Sequence, residues 1–437
     1  VTYHAEDLAG NIAVCSFNVT VEIKKPEIQG VTIDNRSMKI GEMVTATIAV
    51  ADDGGSEYTL VSGSVGGYML DTENLVRNNP TTYYAYFTIE EGGNSYLASQ
   101  NIPVANVIVS DGTDQSPAYS GSIVQNLDAI DAKRPVIQSM TVLSGDKKVG
   151  DVVILNIDAD EPGYTIREDS SFINGIAVGE PSVTFSDIGS GNYRLSYIVE
   201  EGDNDVGPGE LTASVILVRP SGNVNLPYSI VGNSSQLTID AHSPVITRME
   251  VPDEEVGVGG IVQVSIVADS TDYTAVAGTT INGVPLDSPR VYFSERTGGL
   301  YELTYTVDPG DDVVAAGMLQ ISVVLEDPAG NESTAYTTLV SNTLEIYTEL
   351  PTAVLAGSPE ICEGETTGFS VYLQGRDPWS FYLYDGSDTT KFLNITEERF
   401  DFTVAPVAST TFSIPVVKDR NGVKNTGSGN INVTVYE

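Results

Sequence analysis

The feature that most limits what this chain can fold into is a repeat with a period of 109 residues. The segments KPEIQ, RPVIQ and SPVIT place prolines at Pro26, Pro135 and Pro244, and Gly41, Gly150 and Gly259 keep the same spacing. The register persists side chain by side chain. Val44, Val153 and Val262 align, then Ala46, Leu155 and Val264, then Ile48, Ile157 and Ile266, with polar Thr47, Asn156 and Ser265 between them. Apolar residues alternating with polar ones at period two describe a strand with one buried face. Self-similarity at a fixed period means one structural unit used three times.

The rest of each unit repeats more loosely. YAYFTIEEG (84–92), YRLSYIVEEG (193–202) and YELTYTVDPG (301–310) each read as a strand ending in an acidic turn. IPVANVIV, ELTASVILV and MLQISVVLE follow, closed by the turns SDGTD, RPSGN and DPAGN, and Tyr119, Tyr228 and Tyr336 mark a last strand. About seven short strands per unit of roughly 100 residues, with Gly, Asp, Asn and Pro between them, indicate antiparallel sandwiches of immunoglobulin type. No helical period of useful length occurs. The expected fold class is all-β: a linear array of immunoglobulin-like sandwiches. Expected boundaries are 24–132, 133–241 and 242–350 for three repeats, 351–437 for a shorter last domain, and 1–23 for a lone hairpin. Two strands bury no core unaided, so the rest of that hairpin's domain is expected upstream or from a neighbour. The chain opens inside a strand pattern at Val1 without an initiator Met and is read as a segment of a longer polypeptide.

Charge removes several functions. Lys plus Arg is 21 against 60 Asp plus Glu, a formal net charge of −39. There is no cationic surplus to displace counterions from phosphate, which argues against nucleic acid and anionic membrane partners. At 41% apolar the chain still has ample material for packed cores. No apolar run reaches the length of a membrane span, so no direct membrane insertion is expected. The whole chain holds two histidines, His4 and His242, in separate units, and one tryptophan, Trp379. That poverty removes most acid–base, zinc and nucleophile–histidine chemistry, and no nucleophile elbow, His-Glu-x-x-His or phosphate loop is found. Acidic residues are too numerous for any carboxylate pair to signal glycoside cleavage. The expectation is no enzyme. Cys15 and Cys362, in the first and last units, are not expected to pair.

Three resemblances add to this reading. Tyr3, Ala5, Asp7, Gly10-Asn11, Cys15-Ser16-Phe17 and Val19-Thr20-Val21 resemble the closing hairpin of a hyalin-repeat domain. In that family the cysteine pairs within its own domain, which implies that the partner of Cys15 lies outside this segment. Asp131-Ala132-Lys133-Arg134-Pro135-Val136-Ile137, Asp240-Ala241-His242-Ser243-Pro244-Val245-Ile246 and the turn Asp327-Pro328-Ala329-Gly330-Asn331 resemble the tandem bacterial immunoglobulin-like repeats of large secreted adhesins. Ile361-Cys362-Glu363-Gly364, the segment Gly375 to Trp379, and Lys418-Asp419-Arg420-Asn421-Gly422 resemble the polycystic-kidney-disease-like or immunoglobulin-like domains of secreted Bacteroidetes proteins. Members often carry a second cysteine where Val423 stands, so Cys362 lacks that bridge. The last resemblance implies export by the type IX route.

Candidate sites are few. Carboxylates gather where strands end, and Asp131, Asp240, Asp160, Asp203, Asp269 and Asp311 are the candidate metal ligands. Calcium takes six to eight oxygens and needs neither His nor Cys. No other cofactor is required, and the plainer reading is solvated turn residues that keep a long exposed protein soluble. Asp131 and Asp240 close one unit and Pro135 and Pro244 open the next, so the linkers should be stiff. The acidic loops on either side should face and repel each other. Trp379, beside Phe381, Tyr382 and Tyr384, fits a sugar-stacking platform or, better, the core anchor of a sandwich. Tyr83, Tyr193 and Tyr301, with Phe87, Tyr197 and Tyr305 four residues on, are packing residues. Sequons occur at Asn18, Asn233, Asn331, Asn394 and Asn432, and Asp269-Ser270-Thr271 and Asp388-Thr389-Thr390 fit a short O-glycosylation pattern. Together these point to a non-catalytic extracellular stalk or adhesin segment of a bacterial surface protein. Its partners are other domains of the same long chain and a surface, cell or glycan target. The alternatives are a subunit of a self-assembling filament, with a homo-oligomer as partner, and the accessory domains of a secreted carbohydrate-active enzyme.

Overall fold

The computed structural model describes residues 1–19, 24–98, 100–124 and 129–437. The described residues are strands and turns, apart from two single 3-10 turns at Glu168–Ser170 and Ser234–Gln236. No helix is long and apolar enough to cross a membrane among them. The chain divides into two compact units, each taken by itself below: Val1–Gly145 with Val152–Ile198 and Val206–Thr238, and Asp146–Asp151 with Val199–Asp205 and Ile239–Glu437. The division passes through the second repeat rather than between repeats.

In the first unit, strands β1 (Thr2–Glu6) and β2 (Ile12–Ser16) form an antiparallel hairpin. Its turn is set by Asp7, whose carboxylate accepts from the main-chain N–H groups of Ala9 and Asn11 and from the Asn11 side chain. Gly10 supplies the positive φ of +84°. Every residue of the two strands is exposed. The longer second strand read from IAVCSFNVTVE ends at Ser16, and Thr20, Val21 and Glu22 lie outside the described residues.

The next ten strands are β3 (Ile28–Ile33), β4 (Met38–Lys39), β5 (Met43–Val50), β6 (Thr59–Val65), β7 (Tyr68–Met69), β8 (Val76–Asn79), β9 (Thr82–Thr88), β10 (Ile102–Ser110), β11 (Tyr119–Ile123) and β12 (Ile130–Asp131). One sheet has the order β3-β5-β9-β8 and the other β11-β10-β6-β7, while β12 crosses back to pair in parallel with β4. This is the strand order of an immunoglobulin-type sandwich. The alternation in β5 buries Val44, Ala46, Ile48 and Val50 against Tyr83, Ala85 and Phe87 of β9 and the inward residues of the facing sheet.

The same sheet recurs twice at the spacing seen in the sequence. Val152–Ala159 lies between Ile137–Val142 and Asn192–Ile198, with Val183–Gly189 outside; Ile261–Ala268 lies between Ile246–Glu250 and Leu300–Thr306, with Val291–Glu295 outside. Register is preserved: Val44 faces Phe87, Val153 faces Tyr197 and Val262 faces Tyr305. The facing sheet differs. The run read as one strand is continuous in β10, kinked by a bulge at Asn106 with φ +51°. In the second repeat it breaks into Ala213–Ser214 and Leu217–Val218, and in the third into Ile321–Ser322 and Leu325–Glu326, each half pairing with a different neighbour. A bulge bends a strand and ends its ladder, and apolar runs alone do not reveal it.

The last sandwich packs Thr352–Gly357, Thr367–Gln374 and Arg399–Val404 against a sheet containing Trp379–Tyr384 and Thr410–Lys418. Trp379 is buried in its core with Phe369, Phe381 and Phe412, so it presents no face to a sugar.

The tyrosine columns carry more than packing. Tyr83, Tyr193 and Tyr301 are fully buried, and each hydroxyl pins the loop that follows the central strand. Tyr193 donates to the Glu161 carbonyl at 2.9 Å and accepts from the Tyr164 N–H at 2.9 Å. Tyr301 does the same with Ser270 and Tyr273, and Tyr83 accepts from the Tyr58 N–H. Tyr83 also donates to Asp53, a buried carboxylate gripped by Arg77 Nε at 2.6 Å and Nη2 at 3.0 Å.

Candidate functional site: the joints between sandwiches

The six sequence-selected carboxylates do not converge on one site, and the joints between repeats organise four of them. At the first joint, the turn Arg219 to Asn223 of the second repeat meets the end of the first. Gly222, at φ +87°, lets this turn close. Asn223 is buried and bridges two main-chain groups: its amide donates to the Asp131 carbonyl at 2.8 Å, and its oxygen accepts from the Ile40 N–H at 3.0 Å. The Asp131 carboxylate accepts from Arg219 Nε at 3.0 Å and from the Ser221 hydroxyl at 2.6 Å. Arg219 also reaches Glu161 at 2.8 Å and the Tyr164 hydroxyl at 2.7 Å, and Tyr164 donates to Asp160 at 2.9 Å. Burial, with Asp160 beside it, pushes the Tyr164 hydroxyl well above the usual tyrosine range. Asp160 in turn accepts from the Val136 N–H at 2.9 Å, which holds the residue after Pro135. Mutually repelling loops were expected here. Instead a guanidinium sits between the acidic groups.

The second joint repeats the frame and changes the charge. Asn331, also buried, donates to the Asp240 carbonyl at 3.1 Å and accepts from the Val149 N–H at 2.8 Å. Lys148 Nζ donates to the Gly330 carbonyl at 2.5 Å. Asp269 accepts from the Val245 N–H at 2.9 Å and Tyr273 at 3.2 Å, matching Asp160 one repeat earlier. Counting back from the asparagine, however, Asp327 stands where Arg219 stood and Ala329 where Ser221 stood. Asp327 is turned onto Asn331, accepting from its N–H at 2.9 Å and its amide at 3.0 Å. The Asp240 carboxylate accepts the His242 N–H at 3.2 Å. Burial, then Asp327 and Asp205, pushes the Asp240 carboxyl above the usual range. Asp205 accepts from the Ala241 N–H at 2.8 Å and meets His242 Nδ1 at 3.0 Å. Asp205 raises the His242 pKa above the ordinary imidazole value.

At the third joint the last sandwich presents the turn Asp419 to Val423. Asp419 caps the N–H groups of Asn421 and Val423, and Gly422 has φ +79°. Val423 occupies the space beside Gly257, the residue aligned with Lys39 and Lys148: a β-carbon there would lie 2.6 Å from the valine methyl. Arg420 pairs with Glu255.

The two remaining carboxylates serve their own domains. Asp203 caps the Glu200 N–H at 2.8 Å. Asp311 is held by Arg290 Nη1 at 2.6 Å and Nη2 at 3.0 Å and accepts from the Tyr305 hydroxyl and the Asp308 N–H. Hydrogen bonding from Arg290 holds Asp311 down at about 2. Asn223, Asn331, Arg219 and His242 were missed as site residues. The Gly-Asn that ends both RPSGN and DPAGN was the available signal.

No protein-family model matches this sequence, and no characterised protein matches it significantly. Among solved structures, the chain is similar to the I9–I11 tandem of titin, at 10% identity and TM-score 0.25, over 73% of this chain and 98% of that one. It is similar to a 1.5-MDa bacterial ice-binding adhesin at 16% identity and TM-score 0.25, over 69% and 98%. It is also similar to the four N-terminal immunoglobulin domains of Dscam1, at 11% and 0.21, over 95% and 100%. The fold assignment rests on strand order and register rather than on these likenesses.

Proposed function

We propose that this chain is a non-catalytic spacer of an extracellular bacterial surface protein, a stalk or adhesin segment. Its sandwiches are coupled through specific joints, at the boundaries 24–132, 133–241, 242–350 and 351–437. The observation that carries the reading is the buried asparagine at the first two joints. In each case one side chain ties the turn of one repeat to two main-chain groups of the preceding one, a contact a freely flexing linker does not need. A formal charge of −39 suits a long solvated exterior. On this reading the hairpin at 1–23 belongs to a hyalin-like domain and residues 351–437 to a Bacteroidetes-type domain exported by the type IX route. Binding regions for a surface, cell or glycan target then lie elsewhere.

The test compares the full chain with a double variant, Asn223→Ala with Asn331→Ala, by small-angle scattering and residual dipolar couplings. Coupled joints predict that the variant samples a broader range of interdomain angles while each sandwich keeps its fold. Identical couplings in both proteins would sink the spacer reading. A self-assembling filament is favoured by one observation. Val1, Tyr3, Ala5, Ala13, Cys15 and Phe17 alternate onto one face of the hairpin, and all are exposed. Concentration-dependent association lost on Tyr3→Ser with Phe17→Ser would support it.

A further inference from the structure

We infer that the second joint is a binding site for one divalent transition-metal ion of the zinc class, held by Asp205, Asp240 and His242. Potential ligand atoms of these three residues lie within 4.8 Å of one another, the one such group of three among the described residues. A tetrahedral zinc with bonds of about 2.0–2.1 Å keeps its ligand atoms about 3.3 Å apart. The observed 3.0 Å between His242 Nδ1 and the Asp205 carboxylate is near that spacing, and the Asp240 carboxylate, within 4.8 Å of both, must swing inward to complete the set. Water completes the shell, since His242 and Asp205 are exposed and Asp240 is half-buried.

The chain contains its own control for why a cation belongs there. Both joints share the frame of a buried asparagine on the carbonyl of the closing aspartate. At the first joint that aspartate receives a guanidinium and a hydroxyl, from Arg219 and Ser221. At the second, the aligned residues are Asp327 and Ala329, so the same position gains a negative charge and loses both donors. Lys148, the nearby lysine of the joint, is committed to the Gly330 carbonyl. A metal ion at Asp240 therefore takes the electrostatic place that Arg219 fills one repeat earlier. The imidazole decides the class. Calcium and magnesium prefer all-oxygen sets, whereas an imidazole with carboxylates suits zinc, nickel, copper or cobalt. The competing arrangement is a protonated His242 paired with Asp205, and metal binding must displace that proton. The inference concerns binding chemistry and does not depend on the spacer reading.

The experiment titrates Zn²⁺ into the full chain at pH 7.5 in millimolar calcium, which occupies unspecific carboxylates. It follows heat and the imidazole ¹H–¹⁵N signals. With two histidines in the chain, the exposed His4 serves as internal reference. The expected result is one equivalent bound, with His242 signals shifted and His4 unmoved. Binding should be lost in His242→Ala, weakened in Asp240→Asn and Asp205→Asn, and unchanged in Asp131→Asn and His4→Ala. Asp205→Asn keeps an acceptor for the Ala241 N–H, and circular dichroism of each variant checks folding. Binding that survives His242→Ala, several weak sites that calcium abolishes, or an unmoved His242 would each overturn the site and leave only the His242–Asp205 pair.

Discussion

Asn223 donates from its side-chain amide to the main-chain carbonyl of Asp131 at 2.8 Å, across 92 residues of sequence. Asn331 makes the matching bond to Asp240. Removing a buried group that satisfies two main-chain partners costs about 1–3 kcal/mol when those partners are left dry. Asn223→Ala should therefore lower the unfolding free energy of the first joint by that order. Asn223→Asp, which keeps the acceptor for Ile40 but presents a carboxylate to the Asp131 carbonyl, should be at least as damaging. Denaturant titration followed by hydrogen exchange at Ile40 checks this. Full protection of Ile40 in both variants would contradict the bridge.

Tyr193→Phe keeps the ring that stacks with Phe185 and Tyr164 but removes the hydroxyl that pins the loop at Glu161 and Tyr164. The expected loss is about 1–2 kcal/mol. Tyr301→Phe should match it, because Ser270 and Tyr273 receive the same bonds. Two variants of equal cost would show the hydroxyl working as a repeated device; a loss in one repeat alone would refute that.

Arg77→Ala should be far more harmful than its partly exposed position suggests. It leaves the Asp53 carboxylate, whose side chain has no exposed surface, with the Tyr83 hydroxyl and the Gly55 N–H in place of an ion pair. Removing one partner is the costly way to break such a pair, because the remaining charge keeps its desolvation without its counter-ion. Adding Asp53→Asn to Arg77→Ala should restore part of the loss, measurable as a rise in melting temperature over the single variant.

Acid should act first where carboxylates are held below their ordinary range. Asp311, held down at about 2 by Arg290, contributes stability that is complete above the unfolded carboxylate value of 3.8. That contribution fades as pH falls towards about 2. A Asp311→Asn variant should be less stable than the parent at pH 6 and should approach it as the solution is acidified through that window. Parallel stability curves over pH 2–6 would remove Asp311 from the account.

Cys15 and Cys362 are both free and exposed. Two equivalents of a thiol reagent should react without denaturant. A Cys15–Cys362 cross-linked peptide under non-reducing conditions would contradict two free thiols.

Much of the fold was legible because burial in a sandwich leaves a period-two signature. Val44, Ala46 and Ile48 and their partners one and two repeats on are inward-facing as read, and Trp379 sits in a core. The broken strand at Ala213 to Val218 was not legible, since both halves are as apolar as the intact β10. The tyrosine hydroxyls were likewise hidden, because their partners are main-chain groups with no side-chain identity to repeat. Asn331 illustrates the limit best. It reads as a glycosylation sequon, yet it is buried and bonded to Asp240 and Val149.

The sequence by itself determined the all-β class, the three-fold repeat and the register of its central strands, since these follow from alternation and spacing along one strand. Only the tertiary structure decided what meets the two closing aspartates. Arg219 reaches Asp131 across 88 residues and Asn331 reaches Asp240 across 91. Such contacts are made between a turn of one sandwich and the edge of another, where no local period constrains either side. Net charge predicted repulsion at both joints, but electrostatics there is set by single neighbours a few ångströms away. Arginine in the first turn and aspartate in the second put opposite charges at the same position of a shared frame.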